Sequence, residues 1–199
     1  MAGGPMNFPE QIETERLLLK RPYPPTFELA EKLYKVVDDS RETLREWLPW
    51  VDQTHSAEDE YTHFLVNWCQ NHWTEAKGYP YLIYEKKTNN PIGAIDFMKY
   101  SETNKSGEVG YWLGDSAVGF GYMQEALAAL EKAAFELGIN RIEIKNDTMN
   151  DRSVHVTQKA GYHLDGVARQ DAWDAYHNRF RDTNIWSKLK SEWIERQKG

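Results

Sequence analysis

Apolar residues recur along this chain in two rhythms, and one gives way to the other as the chain proceeds. Leu17 to Leu19 form the apolar centre of a strand predicted over Ile12–Arg21. After Pro24-Pro25-Thr26, residues Phe27, Ala30, Leu33, Tyr34 and Val37 return at helical spacing. A second short helix is expected over Asp38–Trp47, stopped ahead of Pro49 because a residue before proline avoids the α region. Ser56-Ala57-Glu58-Asp59 is a helix-start signal, with Ser56 as cap and acids in the first turn. The helix behind it carries Tyr61, Phe64, Leu65, Trp68 and Cys69 on one side, and Gly78 can end it.

A region of strands follows. Tyr79–Glu85 and Ile92–Tyr100 read as strands joined by a turn at Asn89-Asn90-Pro91, and Gly107–Leu113 as the third strand of that meander. Then come a helix over Gly121–Leu137, a strand over Arg141–Lys145, and a helix from Asp151 to Ala160. Further strands are expected near Tyr162–Ala168 and Asn184–Leu189. Strands first and βα alternation afterwards predict an α/β protein with a mixed sheet flanked by helices. No repeat or long linker interrupts the 199 residues, so the expectation is one domain over 12–193. Residues 1–11 are expected to be a flexible N-terminus, with Met1 to Pro5 preceding a start at Met6, and 194–199 a C-terminal tail.

Composition narrows the function. The net charge of −7 argues against nonspecific nucleic-acid binding, which needs Lys and Arg to neutralise phosphates. It suits a cationic acceptor such as an amine, and equally suits plain solubility. The single cysteine, Cys69, excludes an intramolecular disulfide and fits a reducing compartment, so a cytoplasmic location is expected. No apolar run nears ~20 residues and no signal-peptide core stands at the N-terminus, so no membrane partner is expected. His55, His63, His72, His155, His163 and His177 show no zinc-site spacing, and no metal is expected. The aromatics, 8 Trp and 11 Tyr among them, furnish either a rich core or an aromatic-lined pocket.

Candidate chemistry concentrates between Gly107 and Met123. A strand pattern, Gly-Glu108-Val-Gly-Tyr111-Trp-Leu113, runs through a short turn into Gly119-Phe120-Gly121-Tyr122-Met123 and then a long apolar-periodic helix. A loop that feeds a helix N-terminus offers unpaired N–H groups and the positive end of the dipole, which suits phosphate. The stretch is not a dinucleotide fingerprint, which needs glycine where Gln124 stands. Nor is it a P-loop, which needs Lys-Ser/Thr where Tyr122 and Met123 stand.

Together with Asn150-Asp-Arg-Ser153 and Lys159-Ala-Gly-Tyr162, this stretch resembles the GNAT N-acetyltransferase family. The opening Glu13-Thr-Glu-Arg16-Leu-Leu-Leu19 and the ending Ser191-Glu-Trp193 are similar to its RimJ/RimL-like ribosomal-protein N-acetyltransferase branch. The resemblance implies the acyl-CoA N-acyltransferase fold, a mostly antiparallel mixed sheet flanked by helices, with acetyl-CoA as cosubstrate and an amine as acceptor. It places the cofactor's pyrophosphate on the amides of Gly119, Phe120, Gly121, Tyr122 and Met123. The family's polar residues in that loop are replaced here by Val118 and Phe120, so weaker cofactor binding is expected.

The resemblance further assigns Tyr111 and Leu113 to backbone pairing with the pantetheine arm, and Asn150 to its amides. Ser153 becomes the proton donor or hydrogen-bond donor to the leaving thiolate. Asn150 and Ser153 also fit an ordinary helix cap. Glu108 is the first expectation for general base, directly or through water, and Asp171 the second. Cys69 reads as a packed helix residue, and Lys159 as facing either solvent or the cofactor's phosphates. Trp47, Trp50, Trp68 and Trp73 mark the segment expected to meet the acceptor. That acceptor is read as the α-amine of a protein or peptide. A small amine, or a non-catalytic acyl-CoA sensor, stands as the alternative, and a homodimer is the family habit.

Overall fold

A computed structural model describes residues 6–198. Its centre is an eight-stranded sheet in the order β1-β2-β3-β4-β5-β6-β8-β7. The strands are β1 (Gln11–Glu13), β2 (Leu17–Lys20), β3 (Gly78–Glu85), β4 (Asn90–Ser101), β5 (Ser106–Leu113), β6 (Arg141–Asp147), β7 (His163–Asp174) and β8 (Arg179–Leu189). Helices α1 (Phe27–Asp39) and α2 (Arg41–Arg45) precede a rod made of α3 (Ala57–Asp59), a π-helical stretch Glu60–Gln70 and α4 (Asn71–Thr74). The rest are α5 (Tyr122–Glu136), α6 (Asp151–Ala160) and α7 (Lys190–Arg196).

Period-two alternation sorts the side chains of the sheet onto two faces. Tyr81, Ile83, Ile95, Phe97, Val109, Ile142 and Ile144 pack on one face against Met123, Ala126, Leu127, Leu130, Ala134 and Phe135 of α5. Leu82 and Ala94 turn to the other face and meet Ala30 and Leu33 of α1 and Leu65 of the rod. Each of the Val, Leu, Ile, Phe and Met side chains among them stabilises the fold by about 1.5–3 kcal/mol. A buried ion pair, Lys188 Nζ to Glu131 at 2.7 Å, ties α5 to β8 inside the first layer.

The expected strand over Ile12–Arg21 is in fact two strands, because Thr14 folds back through its hydroxyl onto the Leu17 carbonyl and amide. The expected helix past Ser56 is π-helical over most of its length. Strands β7 and β8 run well beyond their predicted ends. Their outer halves pair with each other and carry polar residues, so no apolar alternation announces them. Packed chain also reaches beyond the expected domain bounds. Phe8 is buried against Tyr79 and Phe97, and α7 extends to Arg196 with Trp193 on Phe135. The segment proposed to precede Met6 lies outside the described residues. Among the described residues, no helix is long and apolar enough to cross a membrane.

One break in the sheet positions the site. Among the described residues, β5 and β6 are its only parallel neighbours, and they pair over three positions alone, Ser106↔Arg141, Gly107↔Ile142 and Glu108↔Glu143. Past Glu108 the strands separate. The bond from Gly114 N–H to the Ile92 carbonyl, 2.9 Å, sets the phase of the β4–β5 ladder. By the alternation of an antiparallel pair, the N–H groups of Leu113 and Tyr111 then point away from β4, toward the gap.

Candidate active site

The gap opens into a cleft of about 520 Å³. One wall is Gly110–Leu113 of β5 together with the loop to α5. The other is Lys145–Asp147 of β6, the first turns of α6 and Arg181 of β8, with Leu44, Trp47 and Leu48 over the mouth.

The glycine loop is built to leave its amides free. Gly119 and Gly121 take φ of +91° and +77°, a region other residues rarely adopt, and a Cβ on Gly119 would meet nothing within 4 Å. Gly121 caps α5 without a side chain. The amides ahead of Glu125 N–H, which bonds the Gly121 carbonyl at 3.2 Å, have no intrahelical acceptor and sit at the positive end of the dipole. Gly119, Gly121, Tyr122 and Met123 line the cleft. Phe120 does not. It turns outward, 59% exposed, and stacks on Tyr122.

Arg16 enters this loop from a distant part of the chain. Its Nη1 donates to the Phe120 carbonyl at 2.8 Å, its Nε to Glu125 Oε2 at 2.7 Å, and its guanidinium lies over the Tyr122 ring. Glu125 Oε1 accepts from the Thr14 hydroxyl at 2.6 Å and from Arg16 N–H at 2.8 Å. The turn between β1 and β2 therefore braces the first turn of α5. Arg16 itself does not line the cleft, and its guanidinium is paired with Glu125. The Thr14-Glu15-Arg16 spelling was the available signal, and no role follows from it until the two segments meet.

Asn150 and Ser153 both line the cleft, on the N-terminal turn of α6. Asn150 Oδ1 accepts from Ser153 N–H at 3.0 Å, so the ordinary cap is present and leaves the Asn150 amide nitrogen uncommitted. Ser153 Oγ lies 3.1 Å from the Tyr111 hydroxyl and accepts from Asn146 Nδ2 at 3.2 Å. Asn146 is oriented in turn by Trp186 Nε1 and Asn184 Nδ2, both donating to its Oδ1 at 3.1 Å. Burial pushes the Tyr111 hydroxyl up to about 12, so it keeps its proton at neutral pH. Sequence reasoning missed Asn146 and the Tyr111 side chain. The partners come from β5, β6, β8 and α6 and share no local spacing.

The two candidate bases fall outside the cleft lining. Glu108 is bonded by Lys99 at 2.9 Å and by Lys145 at 3.2 Å, and it stands two residues from Gly110 on the same sheet face. Asp171 is an exposed residue in a bulge of β7, and its Oδ1 accepts from the Thr183 hydroxyl at 2.6 Å. The carboxylate that does line the cleft, Asp147, has both oxygens engaged, by Arg179 and by Met149 N–H. Lys159 lines the cleft too, and of the four expected tryptophans Trp47 alone reaches it. Trp68 instead donates to Asp96 at 2.8 Å, and Cys69 is buried, its thiol pushed up by burial. Among the described residues, no three His, Cys, Asp or Glu side chains are grouped to hold a metal.

A glycine loop with free amides and an open strand edge stand on one wall of this cleft, and a serine hydroxyl stands on the other. Residues 16–163 match the family model for the acetyltransferase (GNAT) domain. The ribosomal-protein-serine acetyltransferase of Escherichia coli strain K12 is 30% identical over 163 residues, 80% of this chain and 87% of that protein. Among solved structures, RimL, a ribosomal L7/L12 α-N-protein acetyltransferase in complex with coenzyme A, superposes with a TM-score of 0.82 at 24% identity, covering 92% of this chain and 99% of that one. The microcin C7 self-immunity acetyltransferase MccE, in complex with acetyl-CoA and AMP, gives 0.81 at 23% identity over 94% and 99%. The chain belongs to the GNAT acetyltransferase family, on its RimJ/RimL-like branch, and is an N-acetyltransferase.

Proposed function

We propose that this enzyme transfers the acetyl group of acetyl-CoA directly to the α-amino group at the N-terminus of a protein or peptide. The observation that carries the reading is the edge of β5 left open past Glu108, next to uncapped amides at α5 and facing Ser153. The 30% identical relative, by name a ribosomal-protein-serine acetyltransferase, supports a protein acceptor.

Acetyl-CoA supplies an acetyl thioester. In this reading the amides of Gly119 to Met123 and the Arg16 charge hold its pyrophosphate, and the N–H groups of Tyr111 and Leu113 receive the peptide-like arm. A preorganised N–H at this edge polarises the thioester carbonyl, the kind of contribution that is often the largest in acyl transfer. Ser153 gives a proton to the leaving sulfur, with the Tyr111 hydroxyl behind it and Asn146 fixing the oxygen. Glu108, two residues back from Gly110, receives the amine's proton through a water. Substituting Glu108→Gln is then expected to lower turnover with acetyl-CoA affinity retained, and unchanged turnover removes it from this role.

The test is an assay of CoA release with mass spectrometry on the products. The panel pairs ribosomal-protein N-terminal peptides with polyamines, free amino acids and N-terminally blocked peptides. Acetylation confined to free α-amines of peptides is expected. Acetylation of small amines with peptides untouched overturns the acceptor assignment.

A further inference from the structure

We infer that the acceptor side of the cleft holds an oxyanion subsite at Arg181, so that the favoured acceptor carries a carboxylate or phosphate close to its amine. The inference rests on the acetyl-transfer reading above and names the chemical class of its acceptor.

Arg181 lines the cleft from β8, and its Nε is buried with no hydrogen-bond partner. Its neighbours Arg179 and Lys145 are ion-paired, although Arg179 Nε is likewise buried without a partner. Arg179 pairs with Asp147 at 2.7 Å and with Asp174 at 3.2 Å. Lys145 pairs with Glu143 at 2.9 Å and with Glu108 at 3.2 Å. Arg181 makes no ion pair among the described residues, although β8 registers Thr183, its neighbour on the same face, directly against Asp147. Asp147 cannot serve it, because Arg179 and the Met149 amide already occupy both carboxylate oxygens. A guanidinium presents planar, forked donors that fit a carboxylate or a phosphate with two parallel bonds. Leaving the buried Nε–H unpaired costs free energy that an incoming oxyanion returns.

Position separates this cation from the phosphate loop. Arg181 belongs to the β6–β8 wall, locked to β6 by Thr148 N–H on the Asp182 carbonyl at 3.0 Å. The glycine loop leaves the opposite, β5 wall and has its own cation in Arg16. The amine must approach the thioester between these walls, so Arg181 meets the acceptor.

The experiment compares heptapeptides that begin Ser-Asp, Ser-Asn and Ser-phosphoserine and are otherwise all alanine. Initial rates are measured, together with calorimetric binding to the CoA-saturated protein, for wild type, Arg181→Ala and Arg181→Lys. Wild type is expected to favour the acidic peptides over Ser-Asn by about tenfold or more, chiefly through KM. The stronger of the two acidic arms identifies the oxyanion. Arg181→Ala is expected to erase the preference with the thermal shift by CoA unchanged, and Arg181→Lys to keep part of it. Equal preference in wild type and Arg181→Ala, or none in wild type, overturns the subsite and leaves the acetyl-transfer reading intact. Selective binding that Arg181→Ala abolishes, with no peptide acetylated by wild type, keeps the subsite and overturns the peptide-acceptor reading.

Discussion

Ser153 joins a structural bond to the chemical role proposed for it. Its amide is the one capped by Asn150, while its hydroxyl is held by Asn146 and Tyr111. Replacing it with alanine leaves the cap in place and removes the proposed proton donor, so kcat is expected to fall about 100-fold with CoA affinity retained. Stopped-assay rates beside a CoA melting series check both halves. A loss of affinity equal to the loss of rate would assign Ser153 to binding instead. At this scale the candidate residues were legible where they are local in sequence. Asn150, Ser153 and the glycines of the loop all stand in one or two short segments. Arg16, Asn146 and Arg181 were not legible in this way, since each is placed by strands that meet it only in the fold.

Helices gave away their limits when their caps are side chains or glycines. α6 spans the predicted Asp151–Ala160, bounded by the Asn150 cap and by Gly161 at φ +79°. α7 was missed, as a short segment held by Glu192 on the Leu189 amide and by Trp193 on Phe135. The brace between the β1–β2 turn and α5 is testable as a unit. Arg16→Ala is expected to weaken CoA binding by about tenfold, and Glu125→Gln by less, since each removes charge-assisted bonds at the loop. Calorimetric titration with CoA reads this directly, and undiminished affinity in Arg16→Ala would reduce the brace to a fold contact.

The helical rod carries a different signature. Glu60 is 2% exposed, its Oε1 has no partner, and burial pushes its carboxyl up to about 7. A carboxyl raised on folding stabilises the native state fully below its unfolded value and loses that contribution as pH rises toward 7. Glu60→Gln is therefore expected to gain stability over wild type between about pH 4 and pH 7, by roughly 3 kcal/mol at the top of that window. Denaturant melts of both proteins at several pH values test this, and a constant difference would place the carboxylate in water.

Across the whole molecule, stability depends on keeping two parts of one sheet together. The Lys188–Glu131 pair lies in the layer between α5 and β8, both side chains 4% exposed. Breaking a buried pair from one side leaves an uncompensated charge, so Glu131→Ala is expected to cost about 3–5 kcal/mol in denaturant melts. A near-neutral result would mean that water reaches Lys188. The order of elements predicted the layered mixed sheet, because strand and helix rhythms alternate in the right sequence. It did not show where the sheet splits, since nothing in the spelling of β5 or β6 says that pairing stops at Glu108. That three-position ladder has a mechanical meaning. Five strands on one side and three on the other form two plates on a short hinge of hydrogen bonds, with the helices as springs. A ligand laid along the free edge of β5 acts as a rivet between the plates. Amide hydrogen exchange in both strands should then slow together when CoA is added, and the two plates should unfold as one.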